Sequence, residues 1–152
     1  MRPNKHTPAG HATTELILDV FRLNGRLLVA GDRLVAGLGL TSARWQVMGA
    51  IVWAPSAHPV AWLARSMGLN RQGVQRIVNE MVREGLVELL PNPHHRRAHL
   101  VSLTSNGRAA YDAVEQLQIP WVNALAKGLD RDDIAAAARV LTALRERLKT
   151  DP

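Results

Sequence analysis

The fold is decided between residues 60 and 84, which read VAWLARSMGLNRQGVQRIVNEMVRE. Ala64, Gly68 and Val74 in this stretch have the spacing of a helix-turn-helix. That motif needs a small residue where its second helix crosses the first, a glycine at the turn, and a branched apolar residue that holds the second helix in place. We therefore predict two helices joined at Gly68. The adjoining positions that we expect to be buried are Leu63, Met67, Leu69 and Ile77.

The second helix of this motif is predicted to follow the cap Asn70 and to run to Glu84. Its apolar residues recur at i, i+3, i+4 and i+7, so that side should face the core. These residues are Val74, Ile77, Val78 and Met81. The opposite side carries amides and guanidinium groups, at Arg71, Gln72, Gln75, Arg76 and Asn79.

Amide and guanidinium side chains make paired hydrogen bonds to adenine and guanine edges in a DNA major groove. An ordinary solvated helix face favours mixed Glu and Lys, whereas no acidic residue precedes Glu80 in this helix. We therefore interpret the outward side as a DNA-reading surface, with a solvated face as the alternative.

After Gly85 the sequence pattern changes from helix to strand. The β-prone runs LVELLP and AHLVSL flank NPHHRR, which predicts a hairpin with a tip longer than a two-residue turn. The tip spans residues 91–98 and carries His94, Arg96 and Arg97. Such cations can enter a minor groove or contact phosphate, although a charged turn can also simply keep a hairpin soluble. A helix-turn-helix followed by this hairpin is a winged helix, which we assign to residues 40–103.

The segment before the winged helix is longer than that module needs. Apolar residues recur there at nearly heptad spacing and predict a helix over residues 12–38, after a disordered arm at residues 1–11. Gly25 and Gly31 each lower its helix propensity by about 1 kcal/mol relative to alanine. Contacts with another helix or another subunit are therefore expected to stabilise it.

Two further helices are expected between this first helix and the turn of the motif. Thr41 should begin one of them, which Pro55 ends because the residue before proline avoids the helical region. His58 is the expected cap of the next helix, which starts at Pro59.

The C-terminal residues 104–150 are predicted to form two helices. Thr104 should cap the first, and Pro120 should bend or divide it because proline removes a helical hydrogen bond. Asp130 should begin the second, which is amphipathic. Long helices on both sides of a DNA-binding module suggest dimerisation, which would place two recognition helices about 34 Å apart. The expected fold class is thus mainly α with a small β-hairpin wing, and its dimerisation helices would interlock with the winged helix-turn-helix in one domain.

The chain resembles the MarR (multiple antibiotic resistance regulator) family of bacterial transcription factors over roughly residues 12–149. The resemblance is carried by LTSARWQVMGAI, by LARSMGLNRQGVQRIVNEMVREGLVE and by NPHHRRAHLVSLTSNG. The wing positions that match the family pattern are Arg97, Leu103 and Thr104. His94 and His95 depart from it, since an arginine and an aspartate are frequent at these positions.

The resemblance implies a homodimer whose first, fifth and sixth helices interlock. It implies binding to a double-stranded, pseudo-palindromic operator through the helix at residues 70–84 and the wing at residues 91–98. It also implies a repressor that a small phenolic or lipophilic ligand releases. The alternative is a winged-helix module that binds another protein without reading DNA sequence.

An effector pocket is suggested by aromatic and sulfur-containing side chains, with arginines that could hold an anionic head group. The candidates are Trp45, Met48, Trp53, Trp62, Arg22 and Arg26. Core packing is the alternative for the tryptophans, and an ion pair between subunits is the alternative for the arginines. His94, His95 and His99 are not expected to form a metal site, because residues across a hairpin tip do not converge as they do on a helix.

Composition excludes several classes of protein. The chain has 152 residues, 19 Lys plus Arg against 13 Asp plus Glu, and no Cys, so disulfides and thiolate chemistry are impossible. An apolar content of 47% excludes wholesale disorder, and a formal charge of +6 fits a polyanionic partner. Without a signal peptide or a long apolar run, a cytoplasmic location is expected. No nucleophile with its base, paired carboxylates or phosphate-binding glycine loop is evident, so we expect neither catalysis nor a cofactor.

Overall fold

The computed structural model describes residues 5–149 and confirms a mainly helical winged helix-turn-helix. Its elements are α1 (Pro8–Val35), a 3₁₀ turn (Ala36–Leu38), α2 (Ser42–Trp53), α3 (Val60–Met67), α4 (Arg71–Arg83), β1 (Val87–Leu90), β2 (Leu100–Leu103), α5 (Ser105–Ala126) and α6 (Arg131–Leu148). The chain divides into two compact units, with the boundary within α5 after Leu117.

The hydrophobic core of the first unit is formed by inward-facing side chains from several of its helices and strands. Its buried apolar residues are Val35, Leu40, Val47, Met48, Val60, Leu63, Ala64, Val74, Val78, Met81, Val87, Val101, Tyr111 and Val114. The predicted inward side of α4 is confirmed, because Val74, Val78 and Met81 are fully buried and Ile77 packs against the core. Burial of that side fixes which side of α4 faces outward.

The turn of the motif forms as predicted, with one exception. Gly68 has a φ of +65°, in the left-handed region that glycine adopts without strain. The side-chain oxygen of Asn70 then accepts hydrogen bonds from the backbone N–H groups of Gln72 and Gly73, at 2.8 and 3.3 Å. The predicted burial of Leu69 is wrong, since this residue is 49% exposed. The left-handed turn takes the chain off the helical path, so the periodicity of α3 no longer applies after Gly68.

Helix α1 begins earlier than expected, at Pro8 within the predicted arm of residues 1–11. Thr7 caps it, with Oγ1 accepting from the backbone N–H of Gly10 at 3.0 Å, and proline suits the first helical position. Residues 1–4 of the predicted arm, and residue 150 of the predicted C-terminal segment, lie outside the described residues.

The contact between α1 and α2 explains Gly31. A Cβ atom at this position would collide with Oγ of Ser42. That hydroxyl donates to the carbonyl of Leu28 at 2.8 Å, and the backbone N–H of Ser42 donates to Oδ1 of Asp32 at 2.7 Å. Glycine is therefore required where α2 approaches α1, which is the stabilising contact that the sequence led us to expect.

One expectation about helix ends was wrong, and one of the two outcomes expected at Pro120, division of the helix, does not occur. Helix α3 begins at Val60 with Pro59 in the cap position, and His58 does not cap it. The carbonyl of His58 instead accepts from the N–H of Val101 at 2.9 Å, which ties this segment to β2. Helix α5 is not divided at Pro120 but continues to Ala126, because the loss of one hydrogen bond leaves the bonds on either side intact.

The hairpin has the predicted long tip. Strands β1 and β2 pair antiparallel from Val87 opposite Leu103 to Leu90 opposite Leu100. The tip therefore spans residues 91–99, and we refer to β1, β2 and this tip as the wing.

Candidate nucleic-acid interface

The outward side of α4 forms a shallow groove of about 540 Å³, which we call the α4 groove. Its lining residues are Arg71, Gln72, Gln75, Arg76, Asn79 and Arg83. All five residues predicted on this helix are thus brought together; Gln75 is half-buried and the other four are exposed. Arg83 was not predicted, although its position seven residues after Arg76 places it on the same helical side.

Two amides of the α4 groove are ordered before any ligand arrives. Nε2 of Gln75 donates to Oδ1 of Asn79 at 2.9 Å. Each amide keeps further donor or acceptor capacity, since each carries two N–H donors and a carbonyl oxygen. Holding the two side chains in one geometry lowers the entropy that they would lose on binding a ligand.

Behind this groove, Arg44 of α2 binds the two carboxylates at the end of α4. Its Nη1 lies 2.7 Å from Oε2 of Glu84, and its Nη2 lies 3.5 Å from Oε2 of Glu80. The Arg44 side chain is only 17% exposed. Sequence reasoning missed this contact because Glu84 is 40 residues away along the chain.

The wing tip is ordered by Asn92 and presents its cations to solvent. Nδ2 of Asn92 donates to the carbonyl of Ala98 at 2.8 Å, and its Oδ1 accepts from the backbone N–H of His94 at 3.0 Å. The predicted contacts His94, Arg96 and Arg97 are all exposed. Neither arginine forms an ion pair with any residue that the structure describes. Asn92 was not singled out, although an asparagine in a Pro-rich turn often bonds to its own backbone in this way.

The base of the wing is joined to the end of α4 and to the start of α5. Gly85 leaves α4 with a φ of +72°. The backbone N–H of Thr104 donates to the carbonyl of Leu86 at 3.1 Å, and its hydroxyl donates to the carbonyl of Gly85. Oγ1 of Thr104 also accepts from the N–H of Gly107 at 3.0 Å, which confirms the predicted cap of α5. One threonine thus connects the recognition helix, the wing and α5.

A second groove, of about 400 Å³, lies between α2 and α3, and we call it the α2–α3 groove. Its lining residues are Gln46, Gly49, Ala50, Trp53, Ala54, Trp62, Ser66 and Met67. Two predicted effector residues, Trp53 and Trp62, therefore lie in one groove. Trp53 is 79% exposed, yet its Nε1 donates to the hydroxyl of Tyr111 at 3.2 Å. The ring of Trp62 stacks on His58, with centroids 3.8 Å apart.

The other predicted effector residues do not line the α2–α3 groove. Met48 is fully buried in the core and Trp45 packs against that core, so both have the structural role that was the alternative. Arg22 lies on α1, where Nη1 is 2.9 Å from Oδ1 of Asp19. Arg26 is exposed on the same helix. The groove thus holds no arginine, and its polar lining side chains are an amide and a hydroxyl.

Two other kinds of site receive no support from the part of the chain that the structure describes. Within residues 5–149, no three His, Asp or Glu side chains converge as a group that could hold a metal ion. No helix in that range is both long and apolar enough to cross a bilayer.

Comparison with known proteins gives consistent matches. A MarR family sequence profile matches residues 38–98. An uncharacterized protein of Mycobacterium tuberculosis is 38% identical over 136 residues, which are 90% of this chain and 94% of that protein. The multiple antibiotic resistance protein MarR of Escherichia coli is 30% identical over 139 residues, which are 86% of this chain and 95% of that protein. The crystal structure of a mutant E. coli MarR complexed with operator DNA matches with a TM-score of 0.69 and 28% identity, covering 84% of this chain and 94% of the other.

Proposed function

This chain belongs to the MarR family of transcription regulators, and from that membership we propose that it is a homodimeric repressor that binds a pseudo-palindromic operator. In this proposal, α4 reads base edges in the major groove and the wing contacts the adjacent backbone or minor groove. Repression follows because the bound protein occludes a promoter. A small aromatic or lipophilic effector then releases the protein from the operator.

The observation that carries the proposal is the division of α4 into two sides. One side is sealed in the core at Val74, Val78 and Met81. The other is a groove lined entirely by arginines and amides, which are the side chains that pair with guanine and adenine edges. Since the inward side is fixed by packing, the outward side is available to a partner without any rearrangement of the core. A net charge of +6 favours a polyanion as that partner.

Exposed apolar side chains on α1 and in the second unit support the homodimer. Those on α1 are Ile17, Leu18, Val20, Phe21, Leu23, Leu27, Leu28 and Val29. Those in the second unit are Ile119, Val122, Leu125, Leu129, Ile134, Val140, Leu141 and Leu148. Soluble proteins rarely leave so much apolar surface open to water, and a second copy would cover these helices in an interlocked dimer. Sedimentation should then give twice the chain mass of 16.7 kDa.

The α2–α3 groove is the site that we propose for the effector. Indole faces of Trp53 and Trp62 suit a planar aromatic molecule, and Gln46 and Ser66 offer hydrogen bonds. The lining includes no cationic side chain, so an uncharged ligand fits it better than a carboxylate. Ser66 and Met67 immediately precede the turn of the helix-turn-helix, so a ligand there would contact the segment that orients α4.

Selection of bound duplexes from a random DNA pool tests the DNA-binding proposal directly. We expect an inverted repeat, and binding that weakens with salt at a log-log slope of about −0.9 per phosphate contact. Arg76→Ala should relax the sequence preference and cost about 1–3 kcal/mol, whereas Arg97→Ala should weaken binding to all sequences similarly. A nearly flat salt dependence, or unchanged binding by both variants, would favour the alternative of a protein-binding module.

A further inference from the structure

The end of the recognition helix carries an unfavourable arrangement of charge. Glu80 and Glu84 are four residues apart, a spacing at which like charges on a helix repel each other. Both lie near the C-terminus of α4, where the helix dipole favours cations and disfavours carboxylates. They also stand on the helix that we propose to lie in the DNA major groove. A helix proposed to bind DNA therefore carries two anions that need an explanation.

Glu80 is also spaced to form ion pairs with the arginines beside it, which would withdraw them from DNA binding. It lies four residues after Arg76 and three residues before Arg83, and either spacing allows an ion pair on one helix. Yet among the described residues Arg76 and Arg83 form no ion pair. Both side chains line the α4 groove instead.

Arg44 of α2 forms ion pairs with the carboxylates of both Glu80 and Glu84. The two terminal nitrogen atoms of its guanidinium group are divided between them, with Nη1 2.7 Å from Glu84 and Nη2 3.5 Å from Glu80. At 17% exposure the Arg44 side chain is largely shielded from water, so its charge acts on these acids with less screening than an exposed cation would. The planar, forked guanidinium group suits this bridging role, whereas lysine offers a single point charge.

We propose that Arg44 is a positioning residue for DNA reading: it holds the carboxylates of Glu80 and Glu84 so that Arg76 and Arg83 stay free to contact DNA. This role rests on the proposed DNA-binding function. It requires no contact between Arg44 and DNA. The predicted consequence is that loss of Arg44 matters only while the two carboxylates are present.

A double-mutant cycle tests this dependence. Four proteins are compared: wild type, Arg44→Met, the pair Glu80→Gln with Glu84→Gln, and the combination of all three changes. Fluorescence anisotropy measures affinity for the tightest duplex from the random-pool selection and for a scrambled duplex of the same composition. Thermal unfolding of each protein confirms that binding is measured on folded dimer. Lys149→Met is the charge control, because it removes one cation and one exposed ion pair, with Glu146, at the end of α6.

We expect Arg44→Met to weaken binding to the selected duplex on the order of tenfold, and to lower its preference over the scrambled duplex, because freed carboxylates compete for the arginines and repel phosphate. In the background with both glutamines, the same change should alter affinity less than twofold. An equal loss in both backgrounds would overturn the proposal, since it would mean that Arg44 contacts DNA itself or merely anchors α4. An equal loss of affinity with Lys149→Met would also overturn the proposal, since it would mean that removing any cation weakens DNA binding. If the wild type selects no duplex, the proposed function fails rather than this inference.

Discussion

Gly107, in the first turn of α5, lies directly against the backbone of Leu86, just before the wing begins. A Cβ atom at position 107 would collide with the Leu86 carbonyl oxygen. That oxygen cannot swing aside as a side chain does, and it also accepts the 3.1 Å hydrogen bond from Thr104. Replacing Gly107 by alanine therefore tests how rigidly the recognition helix, the wing and α5 are joined.

The cost of Gly107→Ala can be assembled from its parts. Overpacking against a fixed atom costs about 1–3 kcal/mol, and a strained hydrogen bond about 1 kcal/mol. Higher helix propensity of alanine returns about 1 kcal/mol. The net loss of unfolding free energy is then about 1–3 kcal/mol, which lowers Tm by roughly 2–12 °C for a chain of this length.

The assay is thermal unfolding at equal protein concentration, because the Tm of the proposed dimer would depend on concentration. Gly73→Ala is the matched control: Gly73 also lies within a helix, but nothing stands within 4 Å of an added Cβ. It should leave Tm unchanged or raise it. A Gly107→Ala protein as stable as Gly73→Ala would refute the argument that this junction is tightly packed.

Two further predictions concern the wing and the α2–α3 groove. Asn92→Ala should weaken DNA binding several-fold with little change in Tm, because it removes the two side-chain hydrogen bonds that Asn92 makes within the exposed tip; equal affinity by anisotropy would contradict this. Uncharged 2-naphthol should quench tryptophan fluorescence more strongly than 2-naphthoate, and Trp53→Ala should weaken that binding; equal quenching by both probes would argue against the uncharged lining.

Local chemistry in the sequence was enough to predict the recognition helix. The Asn70 cap, the left-handed turn at Gly68 and the 3.6-residue period of α4 each act within a few residues, so the pattern records them directly. The same holds for the candidate DNA contacts, because once the inward side of α4 is known the outward side follows from geometry. Leu69 marks the limit of this reasoning, since periodicity fails where the backbone leaves the helix.

Contacts between distant segments could not be predicted from spacing. Arg44 and Glu84 are 40 residues apart. The hydrogen bond from the N–H of Val101 to the carbonyl of His58 joins the segment before α3 to the hairpin. For the effector residues, the residue types in the sequence could not say whether Met48 faces the core or a groove. Met48 is in the core, while Trp53 on the same helix is exposed.

The contact at Ser42 has a mechanical consequence. The backbone N–H of Ser42 donates to Asp32, its hydroxyl donates to the carbonyl of Leu28, and Gly31 leaves no gap, so α2 is packed tightly against α1. We expect this contact to transmit a rotation of α1 to the winged helix. In the proposed dimer, a molecule that shifts α1 by a small angle would therefore change the separation of the two recognition helices without touching either of them.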